Sequence, residues 1–192
     1  MKFTLAIFLI FYCSTVKAQL HTNVYWTQQT ELAPLEVIYY NRNEKLSWAD
    51  FKGTPPVETG RTAAITMSGF GYKASVTTAG EKLSVHVAVY CYFNKPQSWV
   101  KPDKKSAYIL NHEQHHFNIS FIAASVFVSK IKNAAISSSN YKTLIPSIYR
   151  ECLDYMNNLQ NQYDEQTQNG RNFEKQEQWN NTLEKKLMSI SK

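Results

Sequence analysis

The sequence lacks clustered charge, internal repeats and low-complexity segments. Its 21 lysines and arginines outnumber 15 acidic residues and give a formal charge of +6, but the basic residues are scattered along the chain. Nucleic-acid-binding domains concentrate such residues on one face or helix, so we expect no nucleic-acid partner. With a length of 192 residues and no repeat, one folded domain is the simplest organisation.

Long apolar runs are also scarce. The run from Phe3 to Tyr12 is about half of the roughly 20 residues that a membrane-spanning helix needs. It follows a lysine and precedes a small-residue pattern that ends at Ala18, which is the layout of a secretory signal peptide. We therefore predict a signal peptide at 1–18, a single domain at 19–192 without a membrane anchor, and a secreted or periplasmic product.

Cysteine is rare, and only Cys91 and Cys152 follow the predicted signal peptide. An oxidising compartment would permit them to form a disulfide. The alternative is two unpaired core cysteines, because Cys91 lies in the strand-like run VHVAVYCYF and Cys152 lies on the apolar stripe of a predicted helix. Both alternatives stay open, since a sequence does not give the Cα separation that a disulfide requires.

Strand signals fill the region from Val37 to Phe93. The run LEVIYY is rich in β-formers, and the segment FKGTPPVETG has the glycines and prolines of a loop. In the stretch that follows, KLSVHVAVY alternates between apolar and polar residues, and TTAGEK is typical of a hairpin turn. These patterns predict a small antiparallel sheet.

Glycine and proline are absent between Lys104 and Lys132, which predicts a long helix. Apart from histidine, no ionisable charge occurs between Glu113 and Lys130, and a helix that is apolar nearly all round is usually buried. Helical spacing predicts a second helix from about Asn140 to Tyr163 and a third from near Phe173. The expected fold class is α+β, with a small antiparallel sheet followed by three helices.

The long helix carries His-Glu-x-x-His within LNHEQHHFNIS at 110–120. His112 and His116 are four residues apart and lie on one helix face, so both imidazoles can bind one zinc ion. Glu113 lies about 100° further round the helix, beside the metal, where it can take a proton from the attacking water of a metalloprotease. The pattern predicts a Zn2+ site at His112 and His116 with Glu113 as catalytic base.

A structural histidine cluster is the alternative to zinc binding. The predicted burial of the helix favours zinc, because two unpaired histidines in a core would be costly to desolvate. His115 is rotated away from His112 and His116, and we expect it to face solvent or to support the ligands from behind.

A catalytic zinc ion usually has three protein ligands, and the residues directly after His116 offer no third. His86 is one candidate, on a predicted strand. Asp164 and Glu165 are others, because they fall in the break YDEQTQNGRN, where a chain leaving its helix could place a carboxylate over the site. Carboxylates also occur on the predicted second helix, where we expect them to face solvent: Glu151 and Asp154.

Five segments, which together cover most of residues 19–192, carry a resemblance to a known family: LSWADFKG at 46–53, AAITMSGFGY, SWV at 98–100, LNHEQHHFNIS, and YDEQTQNGRNFEKQEQWN at 163–180. Together and in this order they resemble the predicted secreted zinc-dependent proteases catalogued as domain of unknown function 922. The resemblance implies an exported bacterial α+β domain with a helix-borne zinc site, and it favours Asp164 as the third ligand.

The chain departs from the family pattern at three positions. Asn118 stands in place of an aspartate, Phe121 in place of a glutamate, and Asn169 in place of a histidine. An amide oxygen binds zinc weakly compared with imidazole, so Asn169 would be a poor replacement for a histidine ligand.

From the His-Glu-x-x-His motif and the resemblance, we expect a zinc-dependent peptidase with a peptide or protein substrate. The alternative is a non-catalytic envelope binding or structural module that keeps the fold with a degenerate zinc site.

Overall fold

The computed structural model describes residues 20–29, 36–58, 60–80 and 82–190, so the predicted signal peptide lies outside the described residues. About 48% of the described residues are helical, including short 3-10 helices at Trp48–Asp50 and Pro102–Lys104, and 24% are strand, which confirms the predicted α+β class. The strands and helices of the described ranges are, in chain order, β1 (Leu20–Trp26), β2 (Val37–Tyr39), β3 (Ala64–Ile65), β4 (Ser68–Ala79), β5 (Lys82–Asn94), β6 (Trp99–Val100), α1 (Ala107–Asn133), α2 (Tyr141–Thr167) and α3 (Phe173–Ile190).

Strand β5 forms the centre of the main sheet. Its whole length pairs antiparallel with β4, from Ser68 opposite Phe93 to Ala79 opposite Lys82, as the alternation and the TTAGEK turn predicted. On its other edge β5 pairs with β1 and then β2. β1 runs parallel to β5, and β2 returns antiparallel to it. The antiparallel sheet predicted for the region from Val37 to Phe93 is confirmed. β1 precedes that region, and its parallel pairing with β5 makes the sheet mixed.

Helix α1 lies between the sheet and the other two helices. It packs against β1, β4 and β5 on one side and against α2 and α3 on the other. Phe127 is fully buried and Ile131 is 1% exposed, and the facing strand residues Val85, Val87 and Val89 are also fully buried. Each such side chain contributes roughly 1.5–3 kcal/mol through burial. The prediction of a long buried helix is confirmed, and the sheet and α2 hold α1 in a fixed orientation.

The helix ends differ from the predicted ones by a few residues. α1 starts at Ala107, because the Oγ of Ser106 accepts a hydrogen bond from the backbone N–H of Ile109 at 3.2 Å and so caps the helix. α2 continues to Thr167, beyond the predicted end at Tyr163. α3 begins at Phe173 as predicted. Among the helices of the described residues, none combines the length and apolarity needed to cross a bilayer.

Cys91 and Cys152 are both buried free thiols. They belong to the same hydrophobic core cluster between the sheet and the helices. Burial raises the pKa of Cys91 well above its ordinary value and that of Cys152 to about 11, so both are protonated near neutral pH. Of the two alternatives, the structure has the unpaired core cysteines.

Candidate metal centre

Helix α1 brings the two histidines of the motif onto one face, as their spacing predicts. The Nε2 atoms of His112 and His116 lie 3.2 Å apart, with the ring planes at 84° to each other. His112 is only 5% exposed. Because α1 is fixed by the sheet on one side and by α2 on the other, neither imidazole needs a loop to order before it can bind a ligand.

Asp164 supplies the third donor atom from the last turn of α2. Its Oδ1 lies 3.2 Å from Nε2 of His112 and 3.1 Å from Nε2 of His116. The sequence predicts that Asp164 lies in the break after the second helix, and this prediction is wrong, because α2 includes Asp164. The helix persists because glycine first occurs at Gly170, and the chain leaves it through left-handed backbone at Gln168, φ 53°. Asp164 is therefore held on a rigid element.

The three donor atoms have the separation of ligands around one small cation. Their mutual distances are 3.2, 3.2 and 3.1 Å. Tetrahedral zinc with bonds of roughly 2.0–2.1 Å separates its ligand atoms by about 3.3 Å. Within the described residues, one group has donor atoms close enough together to hold a metal ion, and it consists of His112, His116 and Asp164. Oδ1 of Asp164 is buried and lies against the two Nε2 atoms, so an ion bound by both histidines would also satisfy this oxygen.

Glu113 lies on the adjacent face of α1 and is 4% exposed. Its Oε2 is buried and has no hydrogen-bond partner among the described residues. Its negative charge acts on His116 and on Tyr163, which places the carboxylate close to the metal-binding group. A buried carboxylate without a partner costs stability, and such groups occur where chemistry uses them. The role of Glu113 as catalytic base stays a prediction.

Electrostatics within the group favour a cation. Burial alone would lower the pKa of His116, but the Asp164 carboxylate and the charge of Glu113 outweigh burial and raise that pKa to about 9. For Asp164, burial would raise the pKa, and the two imidazoles outweigh burial and hold it well below its usual range. Without metal, a proton therefore neutralises part of the negative charge at neutral pH. A bound divalent cation would replace that proton.

The sequence reasoning missed the residues that hold the imidazoles from behind. Gln176 on α3 places Oε1 2.8 Å from Nδ1 of His112, and Gln160 on α2 places Oε1 2.5 Å from Nδ1 of His116. Tyr163 is fully buried and stacks on the His112 ring at 4.7 Å. Gln160 is four residues before Asp164 on the same helix face, a spacing that could have indicated it. No local signal points to Gln176, because its helix contacts His112 only through the tertiary fold.

Gly170 packs against the imidazole ring of His112. Its backbone lies in the left-handed region at φ +77°, and a Cβ there would lie 3.3 Å from Cγ and Nδ1 of His112. The Tyr108 hydroxyl donates a hydrogen bond of 2.7 Å to the Gly170 carbonyl, which ties the turn after α2 to the first turn of α1. This turn therefore positions Asp164 and His112 relative to each other.

Gly170→Ala is expected to destabilise the protein more than Gly80→Ala does. Both glycines have positive φ, but a Cβ at Gly80 would meet no described atom within 4 Å, so Gly80→Ala reports the backbone cost alone, about 1–2 kcal/mol. The contact with His112 should add roughly 1 kcal/mol or more at Gly170. Denaturant unfolding of the two metal-free variants measures the difference. Equal losses would mean that His112 moves away without cost.

The other candidate residues lie outside the donor group. Of the two alternatives expected for His115, solvent exposure is wrong, because the residue is 3% exposed. Its Nδ1 lies 3.0 Å from Nδ2 of Asn118, and burial lowers its pKa to about 4. His86 bonds to Thr77 on the sheet at 3.0 Å. The carboxylates expected on the solvated face of α2 are exposed, and so is the remaining ligand candidate: Glu151, Asp154 and Glu165.

The three departures from the family pattern have structural roles away from the donor atoms. Asn118 is fully buried, and its Oδ1 accepts hydrogen bonds from Tyr40 at 3.2 Å and from Gln114 at 3.1 Å. Phe121 stacks on Tyr40 at 4.0 Å. Asn169 is exposed in the left-handed turn, and its backbone N–H donates to the Asp164 carbonyl at 2.8 Å. The three-atom group is therefore complete without any of these positions.

The chain matches no family model, no curated protein and no solved structure. The resemblance described above stays a prediction. The functional assignment depends on the geometry of the site.

Proposed function

We propose that the protein is a zinc-dependent peptidase in which His112, His116 and Asp164 bind the metal and Glu113 is the general base. The observation that carries this proposal is the triangle of two Nε2 atoms and one Oδ1 atom with edges of 3.1–3.2 Å. Beside it, Glu113 offers a buried carboxylate oxygen without a partner. Three protein donors with one open position are typical of catalytic rather than structural zinc.

Zinc and Glu113 have different roles in the proposed hydrolysis of a peptide bond. When bound, zinc supplies Lewis acidity that polarises a carbonyl and makes water a stronger acid. Glu113 removes one proton from the water whose oxygen attacks the scissile carbonyl carbon. It then returns that proton to the departing nitrogen as the C–N bond breaks. The burial of His112 and Glu113 keeps their positions fixed, so little reorganisation accompanies the proton transfers.

The unpartnered Glu113 favours catalysis over the alternative of a non-catalytic module. That alternative was motivated by a missing third ligand, and Asp164 supplies a third donor atom at 3.1 and 3.2 Å from the histidines. A purely structural metal site or a packing cluster would have no use for a buried carboxylate beside it. A fourth protein ligand, which usually completes a structural site, is also missing from the described donor group.

Cleavage of a denatured protein substrate tests the proposal. Purified protein from residue 19 onward should cleave it, lose the activity with a strong chelator, and regain the activity when zinc is added. The fragments should be identified by mass spectrometry, so that a contaminating protease is recognised by its presence in a His116→Ala preparation. A zinc-loaded protein that cleaves no peptide bond in such a substrate would count against the peptidase and for the non-catalytic module.

A further inference from the structure

Each histidine of the metal centre is held at Nδ1 by the side-chain oxygen of a glutamine. The contacts are 2.8 Å from Gln176 to His112 and 2.5 Å from Gln160 to His116. The two glutamines come from different helices, α3 and α2. Gln176 is 1% exposed, so water does not compete for its amide.

The remaining contacts of both amides fix which end faces the imidazole. Nε2 of Gln160 donates to the His116 carbonyl at 2.9 Å. Nε2 of Gln176 donates to the Tyr163 hydroxyl at 2.6 Å and to Oδ1 of Asn180 at 2.8 Å. If either amide were reversed, its oxygen would face another oxygen acceptor. Each Oε1 must therefore point at the histidine.

An amide oxygen only accepts hydrogen bonds, so Nδ1 of each histidine must carry a proton. In the neutral imidazole the other nitrogen, Nε2, then presents its lone pair. Both Nε2 atoms face Oδ1 of Asp164, at 3.2 and 3.1 Å. The two glutamines thus select the tautomer in which His112 and His116 can bind a metal together with Asp164.

We infer that Gln160 and Gln176 are positioning residues of the metal centre, which direct both Nε2 atoms at the ion through uncharged acceptors. The inference rests on the proposed metal-binding function. It adds α3 to the centre: that helix contributes no metal ligand of its own, yet its Gln176 sets the orientation of His112.

The absence of charge on these two acceptors has a chemical consequence. A carboxylate behind a ligating histidine draws on the Nδ1 proton and makes the imidazole a stronger donor to the metal. An amide does so much less. Within the described donor group, only Asp164 then carries a negative charge onto the ion. A bound divalent cation would keep more of its positive charge and more of its power to polarise a carbonyl.

Leucine substitutions test whether the glutamines act on the metal. Gln160→Leu and Gln176→Leu are each expected to weaken zinc binding by about 10–100-fold, because a histidine loses its acceptor and its fixed orientation. Gln162→Leu on α2 and Gln178→Leu on α3 are matched controls, since both glutamines are exposed. Zinc dissociation constants are measured by competition with a coloured chelator, and the stability of each metal-free variant is measured by thermal unfolding.

Gln176→Glu separates positioning from packing. Glutamate keeps an acceptor at Nδ1 of His112 but cannot donate to Tyr163 and Asn180. We expect it to bind zinc at least about tenfold more tightly than Gln176→Leu, while its metal-free form is no more stable than that of Gln176→Leu. If the glutamine only filled space, the two variants would bind zinc equally.

The outcomes of this experiment distinguish two failures. If the wild type binds zinc and the Gln160→Leu and Gln176→Leu variants bind it equally well, the positioning inference is overturned and the metal centre stands. Equal zinc binding by Gln176→Glu and Gln176→Leu overturns the inference in the same way. A wild type that binds no zinc overturns the proposed function, and the inference that rests on it.

Discussion

Glu113→Gln should lower kcat/KM for peptide cleavage by about 10²–10⁴-fold while zinc stays bound at wild-type stoichiometry. Glutamine has nearly the same shape as glutamate, but it cannot take a proton from water. Because Glu113 is not part of the donor triangle, its replacement leaves His112, His116 and Asp164 in place. Single-turnover cleavage of a quenched fluorescent peptide and elemental analysis of the same sample measure the two quantities together.

The same substitution should leave the protein at least as stable as the wild type. The Oε2 of Glu113 is buried without a hydrogen-bond partner, so its replacement breaks no hydrogen bond, and the desolvation cost that it removes should outweigh the lost attraction to protonated His116. Loss of activity together with unchanged or improved stability is typical of a functional residue. Glu165→Gln, next to Asp164 but exposed, is the control and should change neither property. Full activity in Glu113→Gln would contradict the proposed mechanism.

Asp164→Asn should weaken zinc binding by more than about 100-fold, a larger loss than removal of a residue behind a ligand causes. The amide oxygen of asparagine is neutral and binds zinc poorly, so two histidines would be left to hold the ion. Since Asp164 lies in the last turn of α2, the substitution should leave the helix and its end intact. Isothermal titration with zinc, or chelator competition where binding is tight, gives the affinity.

Asp154→Asn is the matched control for Asp164→Asn. Asp154 lies on the same helix and is exposed, so its replacement removes the same charge without touching the donor atoms. A general effect of net charge on metal binding would appear in both variants. If Asp164→Asn keeps wild-type affinity, then Asp164 is not a ligand and the site has only two protein donors.

The chemistry of α1 could be predicted from the sequence because it depends on residues four apart on one helix. The spacing of His112 and His116 fixes their shared face, and the adjacent Glu113 follows from the same periodicity. The long uncharged run that predicts burial is likewise local. These predictions need no knowledge of how the helices pack.

Features that depend on packing could not be predicted in this way. Asp164 was selected from the family pattern. Its location on a helix depends on where the left-handed turn at Gln168 begins, and the polar run YDEQTQNGRN does not show at which residue the helix ends. Gln176 reaches His112 only because α3 folds back along α1. The parallel pairing of β1 with β5 similarly joins residues that are far apart in the chain, such as Leu20 and Leu83, and leaves no periodic signal.

Zinc content of the purified wild-type protein is the most direct test of the central claim. The protein from residue 19 onward should be dialysed against a weak chelator and then analysed for metals, beside His116→Ala treated identically. The metal centre described here predicts about one zinc ion per chain in the wild type and none in the variant. No zinc in the wild type, or equal zinc in both proteins, would contradict it.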